Sequence, residues 1–175
     1  MARILIVYST TDGHTLRICD RLRGIVEAQG HQVTLVPVAA AADADLEACD
    51  KIVVGASIRY GRHNPLLVDF IERNAQALNR KASAFFSVNI VARKPAKNQP
   101  HTNPYVRKLL RKIEWRPREV GVFAGKLDYP RYGTLDRMII RFIMWLTGGP
   151  TDPKTVVEFT DWNQVEAFGK LVARM

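Results

Sequence analysis

The sequence predicts an α/β fold of three layers, a five-stranded parallel sheet between two layers of helices. Three observations lead there. Five short apolar runs recur along the 175 residues, and segments of helical spacing lie between most of them. One run, KIVVGAS, is unbroken in apolar residues from Ile52 to Ala56, as in a parallel strand buried on both faces. Strand and helix alternate in the order that crossover connections produce, so neighbouring strands run parallel.

RILIVYS (Arg3 to Ser9) is the first strand and runs directly into STTDGHT (Ser9 to Thr15), after which Ile18, Leu22, Ile25 and Val26 return at helical spacing. Gly30 stops that helix, and QVTLVPV (Gln32 to Val38) is the second strand. The run AAAADADLEAC connects it, with one turn of helix, to the third strand, KIVVGAS (Lys51 to Ser57), and IRYGRH follows as a loop. Asn64 and Pro65 start the next helix, whose buried stripe is Leu67, Phe70, Ile71 and Leu78. ASAFFSVN (Ala82 to Asn89) is the fourth strand and IVARKPAKNQPHT a longer loop. A second Asn-Pro pair, Asn103 and Pro104, opens a helix with Tyr105, Val106, Leu109, Leu110 and Ile113 on one face and Arg107, Lys108, Arg111 and Lys112 on the other. EVGVFAG (Glu119 to Gly125) is the fifth strand.

The alternation then breaks. Residues 126–155 carry a helix, roughly Leu135 to Thr147, that is apolar on most sides apart from Asp136, Arg137 and Arg141. At 1.5 Å per residue it covers about 20 Å, too short for a hydrocarbon core of about 30 Å. Three placements stay open for it: buried, turned toward a substrate, or lying in a membrane interface, the last supported by Trp145 and the flanking arginines. VVEFTDW resumes a short strand, and Asp161 or the following turn starts a last helix with Val165, Phe168, Leu171 and Val172. Residues 1–175 read as one domain with an insertion at about 126–155, before the end of the last strand.

The net charge of +9 is segregated: residues 93–141 hold thirteen Lys and Arg against four acids, and the rest of the chain is balanced. Such a segment suits an anionic partner, whether nucleic acid, acidic lipid or a carboxylate-bearing substrate. No nucleic-acid-binding motif accompanies it, so no nucleic acid is expected. Cys19 and Cys49 form no CxxC pair and read as reduced thiols of a cytoplasmic protein. His14, His31, His63 and His101 lack ligand spacing, so no metal is expected, and the N-terminus carries no secretory pattern.

STTDGHT has two readings. Unpaired N–H groups at a helix start, the hydroxyls of Ser9, Thr10, Thr11 and Thr15, and the permissive backbone of Gly13 suit a phosphate. The same residues make an ordinary N-capped helix. Neither GxxxxGK[ST] nor GxGxxG is present, which argues against a nucleoside triphosphate and against a dinucleotide.

This order of elements resembles the flavodoxin-like fold, with strand order 2-1-3-4-5 and a ligand at the switch point between strands 1 and 3. STTDGHT is similar to that fold's FMN phosphate motif, hydroxyl-x-Thr-Gly-x-Thr, with Asp12 inserted before Gly13. GASIRYG (Gly55 to Gly61), SVNIVARKP (Ser87 to Pro95), YPRY (Tyr129 to Tyr132) and TDW (Thr160 to Trp162) together resemble the FMN-dependent, quinone-linked protoporphyrinogen IX dehydrogenases of bacterial haem synthesis. That resemblance implies an oxidoreductase with FMN as cofactor, protoporphyrinogen IX as substrate and a membrane quinone, menaquinone or ubiquinone, as acceptor. Together with the segregated charge and the apolar helix, it points to a cytoplasmic protein peripheral on the inner face of the cell membrane, touching anionic lipid through residues 93–147.

Carried over by position, Ser9, Thr10, Thr11, Asp12, Gly13, His14 and Thr15 would hold the phosphate. Two loops, Ser57, Ile58, Arg59, Tyr60 and Gly61, and Asn89, Ile90, Val91, Ala92 and Arg93, would flank the isoalloxazine. The substrate's two propionates make Arg59, Arg62, Arg93, Lys94 and Arg131 candidate partners, with His63 nearby. Tyr60, Tyr129 and Tyr132 either stack on a ring or fill the core edge. No residue stands out as a general base, and self-association stays open. The competing readings are an NAD(P)H:quinone reductase or an electron-transfer flavoprotein on the same fold, although shuttle flavodoxins are usually acidic. A receiver-type binding module needs acids at the end of the first strand, where this chain has Tyr8, Ser9 and Thr10.

Overall fold

Alternation of side chains along the strands decides the layering. The computed structural model describes residues 1–43 and 46–175. Its central sheet runs β2 (Gln32–Pro37), β1 (Arg3–Ser9), β3 (Lys51–Arg59), β5 (Ala82–Asn89), β6 (Glu119–Ala124), every neighbouring pair parallel. Counting these five strands alone, this is the order 2-1-3-4-5. Ile4, Ile6, Val53 and Phe86 face α1 (His14–Glu27) and α6 (Trp162–Arg174), packing on Ile18, Leu22, Phe168 and Val172. Leu5, Val7, Ile52, Val54 and Phe85 face the other way, onto Leu67, Phe70, Ile71 and Leu109. Gly55 leaves room for this packing, since a Cβ there would lie 2.2 Å from the Phe86 ring.

β1 and β5 have the bounds read from the sequence. Val38 leaves β2 to begin a 3-10 turn, Val38–Asp43, which supplies the expected turn of helix in the connector; Ala44 and Asp45 of that connector lie outside the described residues. Three expectations need correction. IRYGRH is a hairpin rather than a loop: β3 continues to Arg59 and pairs antiparallel with β4 (Arg62–His63). Tyr60 and Gly61 turn it with φ of 50° and 77°, the doubly left-handed geometry whose twist matches paired strands.

The helix after Asn64 is two helices, α2 (Pro65–Arg73) and α3 (Ala75–Arg80), because Asn74 leaves helical geometry and donates its side-chain amide to Phe70 O at 2.8 Å. Both Asn-Pro starts do cap their helices, Asn64 accepting from Leu66 N and Asn103 from Tyr105 N and Val106 N at the head of α4 (Pro104–Lys112).

The third correction concerns the insertion. Its flanks, β7 (Lys126–Asp128) and β8 (Val156–Glu158), pair with each other as an antiparallel ribbon outside the main sheet. Between them α5 (Thr134–Leu146) buries only Met144, which rules out a buried helix. Leu135, Met138, Phe142, Trp145 and Leu146 are exposed, because the helix has a neighbour on one side only. In α6 Leu171 is likewise 45% exposed while Val165, Phe168 and Val172 are buried. Among the described residues no helix is long and apolar enough to cross a membrane.

Candidate functional site

Parallel strands deliver their following loops to one edge of the sheet, and register shows which residues arrive together. Ser9 stands level with Ala56, Ala56 with Ser87, and Asn89 with Ala124. Beyond these positions a cleft opens, lined by the turn after β1, the β3–β4 hairpin, the turn after β5 and one face of the insertion.

In the β1 turn the left-handed residue is Gly13, φ 82°, which stands as N-cap of α1 without any side-chain capping bond. Thr10 Oγ1 instead accepts from Gly13 N at 3.0 Å. The capped-helix reading of STTDGHT therefore fails: the Thr10 hydroxyl closes the turn on itself, and no side chain caps the positive end of α1. Ser9 Oγ is the one buried side-chain polar atom among the described residues without a hydrogen-bond partner. A buried hydroxyl left so costs about 1–3 kcal/mol, which an oxyanion at this turn would offset. Thr10, Thr11, Asp12, His14 and Thr15 line the cleft, while Ser9, which is buried, and Gly13 do not.

His14 is fixed from the far end of the chain. Thr160 donates its hydroxyl proton to Ala124 O at 2.7 Å, so it accepts from His14 Nε2 at 2.7 Å. The imidazole thus carries its proton on Nε2, and burial holds its pKa below the ordinary histidine value. The other two residues of TDW also hold this corner together. Asp161 caps α6, and Trp162 packs edge-on against His14 and donates to Glu158.

Arg59 crosses the mouth of the cleft. Its guanidinium pairs with Asp12 at 2.9 Å and with Asp136 of α5 at 2.5 Å, and lies over the rings of Tyr60 and Tyr132. Tyr60 also donates its hydroxyl to Asp136. Asp136 therefore couples the hairpin to the insertion across 77 positions of sequence.

The turn after β5 rests on a buried polar chain. Asn89 Oδ1 accepts from Ala92 N and from Asn103 Nδ2, and Asn89 Nδ2 donates to Ser87 Oγ, which in turn bonds His63 Nε2 at 3.1 Å. Desolvation pushes His63 down to about 4, so it is neutral. Asn89, Ile90, Val91 and Arg93 line the cleft, as do Ser57, Ile58, Arg59, Tyr60 and Gly61; Ala92 is buried beneath them.

The substrate candidates divide. Arg59, Arg93, Arg131 and Tyr132 line the cleft. Tyr129 does not: it is fully buried in the small core of the insertion and donates its hydroxyl to Pro150 O at 2.6 Å. Arg62 and His63 line a neighbouring cleft instead, and Lys94 lines neither. Arg93 is already engaged, donating to Ile90 O, Thr147 O and Thr147 Oγ1, each at 3.1 Å. Part of the basic surplus is likewise tied to backbone carbonyls, Arg137 donating to Tyr129 O and Tyr132 O, and Arg141, at the surface, to Thr151 O. The sequence reading missed Tyr105, Lys126, Asp128, Ile140, Ile143 and Met144, which complete the cleft wall, and the pairing role of Asp136. YPRY was the only local signal that this segment approaches the site.

A parallel sheet of this order, with an open helix start at its switch point, defines a flavodoxin-like protein. A family model described as a flavodoxin domain matches residues 5–154. An archaeal flavodoxin shares the fold, with a TM-score of 0.54 and 16% identity over 98% of this chain and 96% of that one. Protoporphyrinogen IX dehydrogenase [quinone] of Escherichia coli strain K12 is 42% identical over 173 residues, 99% of this chain and 96% of the relative. The protein of the same name from Leishmania major is 42% identical over 167 residues, 95% of this chain and 72% of that relative. The chain belongs to this flavodoxin-domain family of quinone-linked protoporphyrinogen IX dehydrogenases, and it is an oxidoreductase.

Proposed function

We propose that the protein oxidises protoporphyrinogen IX to protoporphyrin IX in repeated two-electron steps, with FMN as cofactor and a membrane quinone as final acceptor. One observation carries the geometric side of this reading. The cleft that begins at the open start of α1 ends against an apolar wall, Ile140, Ile143 and Met144 of the inserted helix. An anionic cofactor group suits the first end and a large apolar ring system the second.

FMN fits the residues present. The N-terminal amides of α1 and the hydroxyls of Thr10, Thr11 and Thr15 would take its phosphate, and the orphaned Ser9 Oγ would gain a partner there. The Ser57–Gly61 hairpin and the Asn89–Arg93 turn would flank its ring. When bound, FMN supplies the hydride-accepting chemistry that no side chain of this protein offers. The protein's share is to bind and orient. Arg59, held between Asp12 and Asp136, closes one side of the mouth. Tyr132, its hydroxyl accepting from Asp128 N, and the apolar face of α5 continue the wall from Arg59 and exclude water. His14, protonated on Nε2, presents an unprotonated Nδ1, the one neutral imidazole lining this cleft among the described residues.

The exposed stripe Leu135, Met138, Phe142, Trp145 and Leu146, with Arg131 and Arg141 beside it, is suited to the interface of an anionic bilayer, from which quinone is delivered. This reading puts the protein at the cytoplasmic face of the membrane. Purified protein should be yellow, oxidise protoporphyrinogen IX to its fluorescent product when quinone is present, and lose liposome binding in Phe142→Ser/Trp145→Ser while keeping FMN. Bleaching of the flavin by NADPH without any oxidation of protoporphyrinogen would assign an NAD(P)H:quinone reductase instead.

A further inference from the structure

A second cleft lies beside the first, behind the β3–β4 turn. Gly61 and Tyr105 line both, so the two are separated by a single wall. At Gly61, φ 77°, an added Cβ would meet no atom within 4 Å, so no side chain obstructs the shared wall there. The second cleft measures about 240 Å³. With the ring system assigned to the first cleft by the functional reading, this neighbour is left for one of its side arms.

Its charge says which arm. Arg62, Lys108 and Lys112 stand around it against Asp69 alone. Lys112 is paired with Glu72 at 3.3 Å, but among the described residues neither Arg62 nor Lys108 has an acidic partner. Leu109 and the neutral, buried ring of His63 supply the uncharged part of the lining. Free cations around a pocket with apolar and neutral walls match a carboxylate on a short alkyl stem.

We infer that this cleft seats one carboxylate arm of the substrate, with the macrocycle in the first cleft and the arm passing over Gly61 beside Tyr105. The inference rests on the functional reading above and adds a specificity site to it: Arg62 and Lys108 select a free acid. Arg62, read from the sequence as a propionate partner, keeps that role, although it does not line the main cleft.

The test uses FMN-loaded protein and two fluorescent ligands, protoporphyrin IX and its dimethyl ester, which differ only in the carboxylates. Arg62→Ala/Lys108→Ala changes two exposed side chains and should weaken binding of the diacid about tenfold or more, as expected for loss of charge-assisted bonds. Affinity for the ester and for FMN should change by less than about twofold. Arg107→Ala/Arg111→Ala removes the same charge from α4 outside the cleft and should leave both porphyrins unaffected. Equal weakening of diacid and ester, or an equal effect of the control pair, overturns the inference while leaving the functional reading intact. Wild-type holoprotein that neither binds protoporphyrin nor oxidises protoporphyrinogen overturns both.

Discussion

The turn after β1 and the insertion border one cleft and are held by different forces. Residues 9–15 are positioned by a strand buried on both faces and by a helix that packs on the sheet, with Ile4, Ile6, Ile18 and Leu22 almost wholly excluded from water. The insertion has four buried core residues, Leu127, Tyr129, Tyr132 and Met144. Arginine does much of the remaining work there: Arg93, Arg137 and Arg141 donate to carbonyls of Thr147, Tyr129, Tyr132 and Thr151, and Arg59 reaches Asp136. A planar cation with five donors can tie several loop and helix-end carbonyls at once. The contrast teaches that the cofactor end of the cleft is built into the sheet, while the apolar end is fastened on.

Three measurements sharpen or break this contrast. The largest effect is expected from Tyr129→Ala, which removes a wholly buried ring and its bond to Pro150 O from a four-residue core. Truncation of a buried aromatic costs about 3–5 kcal/mol. Hydrogen exchange should accelerate across residues 126–158 and stay slow in β1, β3 and β5. Equal loss of protection in those strands would show that the insertion is not separately held.

Acid should act on the sheet side. His63 titrates near 4 when folded and near its ordinary 6.5 when unfolded, so between those values the unfolded chain binds the extra proton. Stability contributed by the neutral ring is therefore present above about pH 6.5 and lost as pH falls toward 4, by about 3 kcal/mol in all. Denaturant unfolding from pH 7 to 4 should show that slope and lose most of it in His63→Phe. The arginine–carbonyl bonds of the insertion do not titrate in this range, so a matching acid loss at residues 126–158 would contradict the division.

The smallest effect belongs to Gly13→Val. A β-branched residue at φ 82° costs about 1–2 kcal/mol in the turn, although nothing lies within 4 Å of the added Cβ. FMN affinity, followed by flavin fluorescence, should fall about tenfold with the insertion undisturbed. Unchanged affinity would remove the β1 turn from the cofactor site.

By itself the sequence determined the layers. Apolar alternation and the KIVVGAS run place β1, β3 and β5, the Asn-Pro pairs place α2 and α4, and the strand ends bring Ser9, Ser57 and Asn89 to one edge. These follow from local rules, in which each residue's burial is read from its neighbours a few positions away. What only the tertiary structure decided is where charges and polar atoms find partners. Asp136 is an ordinary helix acid until Arg59 and Tyr60 meet it, and His14 acquires its tautomer from Thr160, 146 positions away. Arg93, read as a propionate partner, and Arg137, read as part of the basic segment, turn to backbone carbonyls. Apolar burial is non-directional and leaves a period in the chain, whereas a hydrogen bond depends on two atoms meeting at a set distance and angle, which no period records.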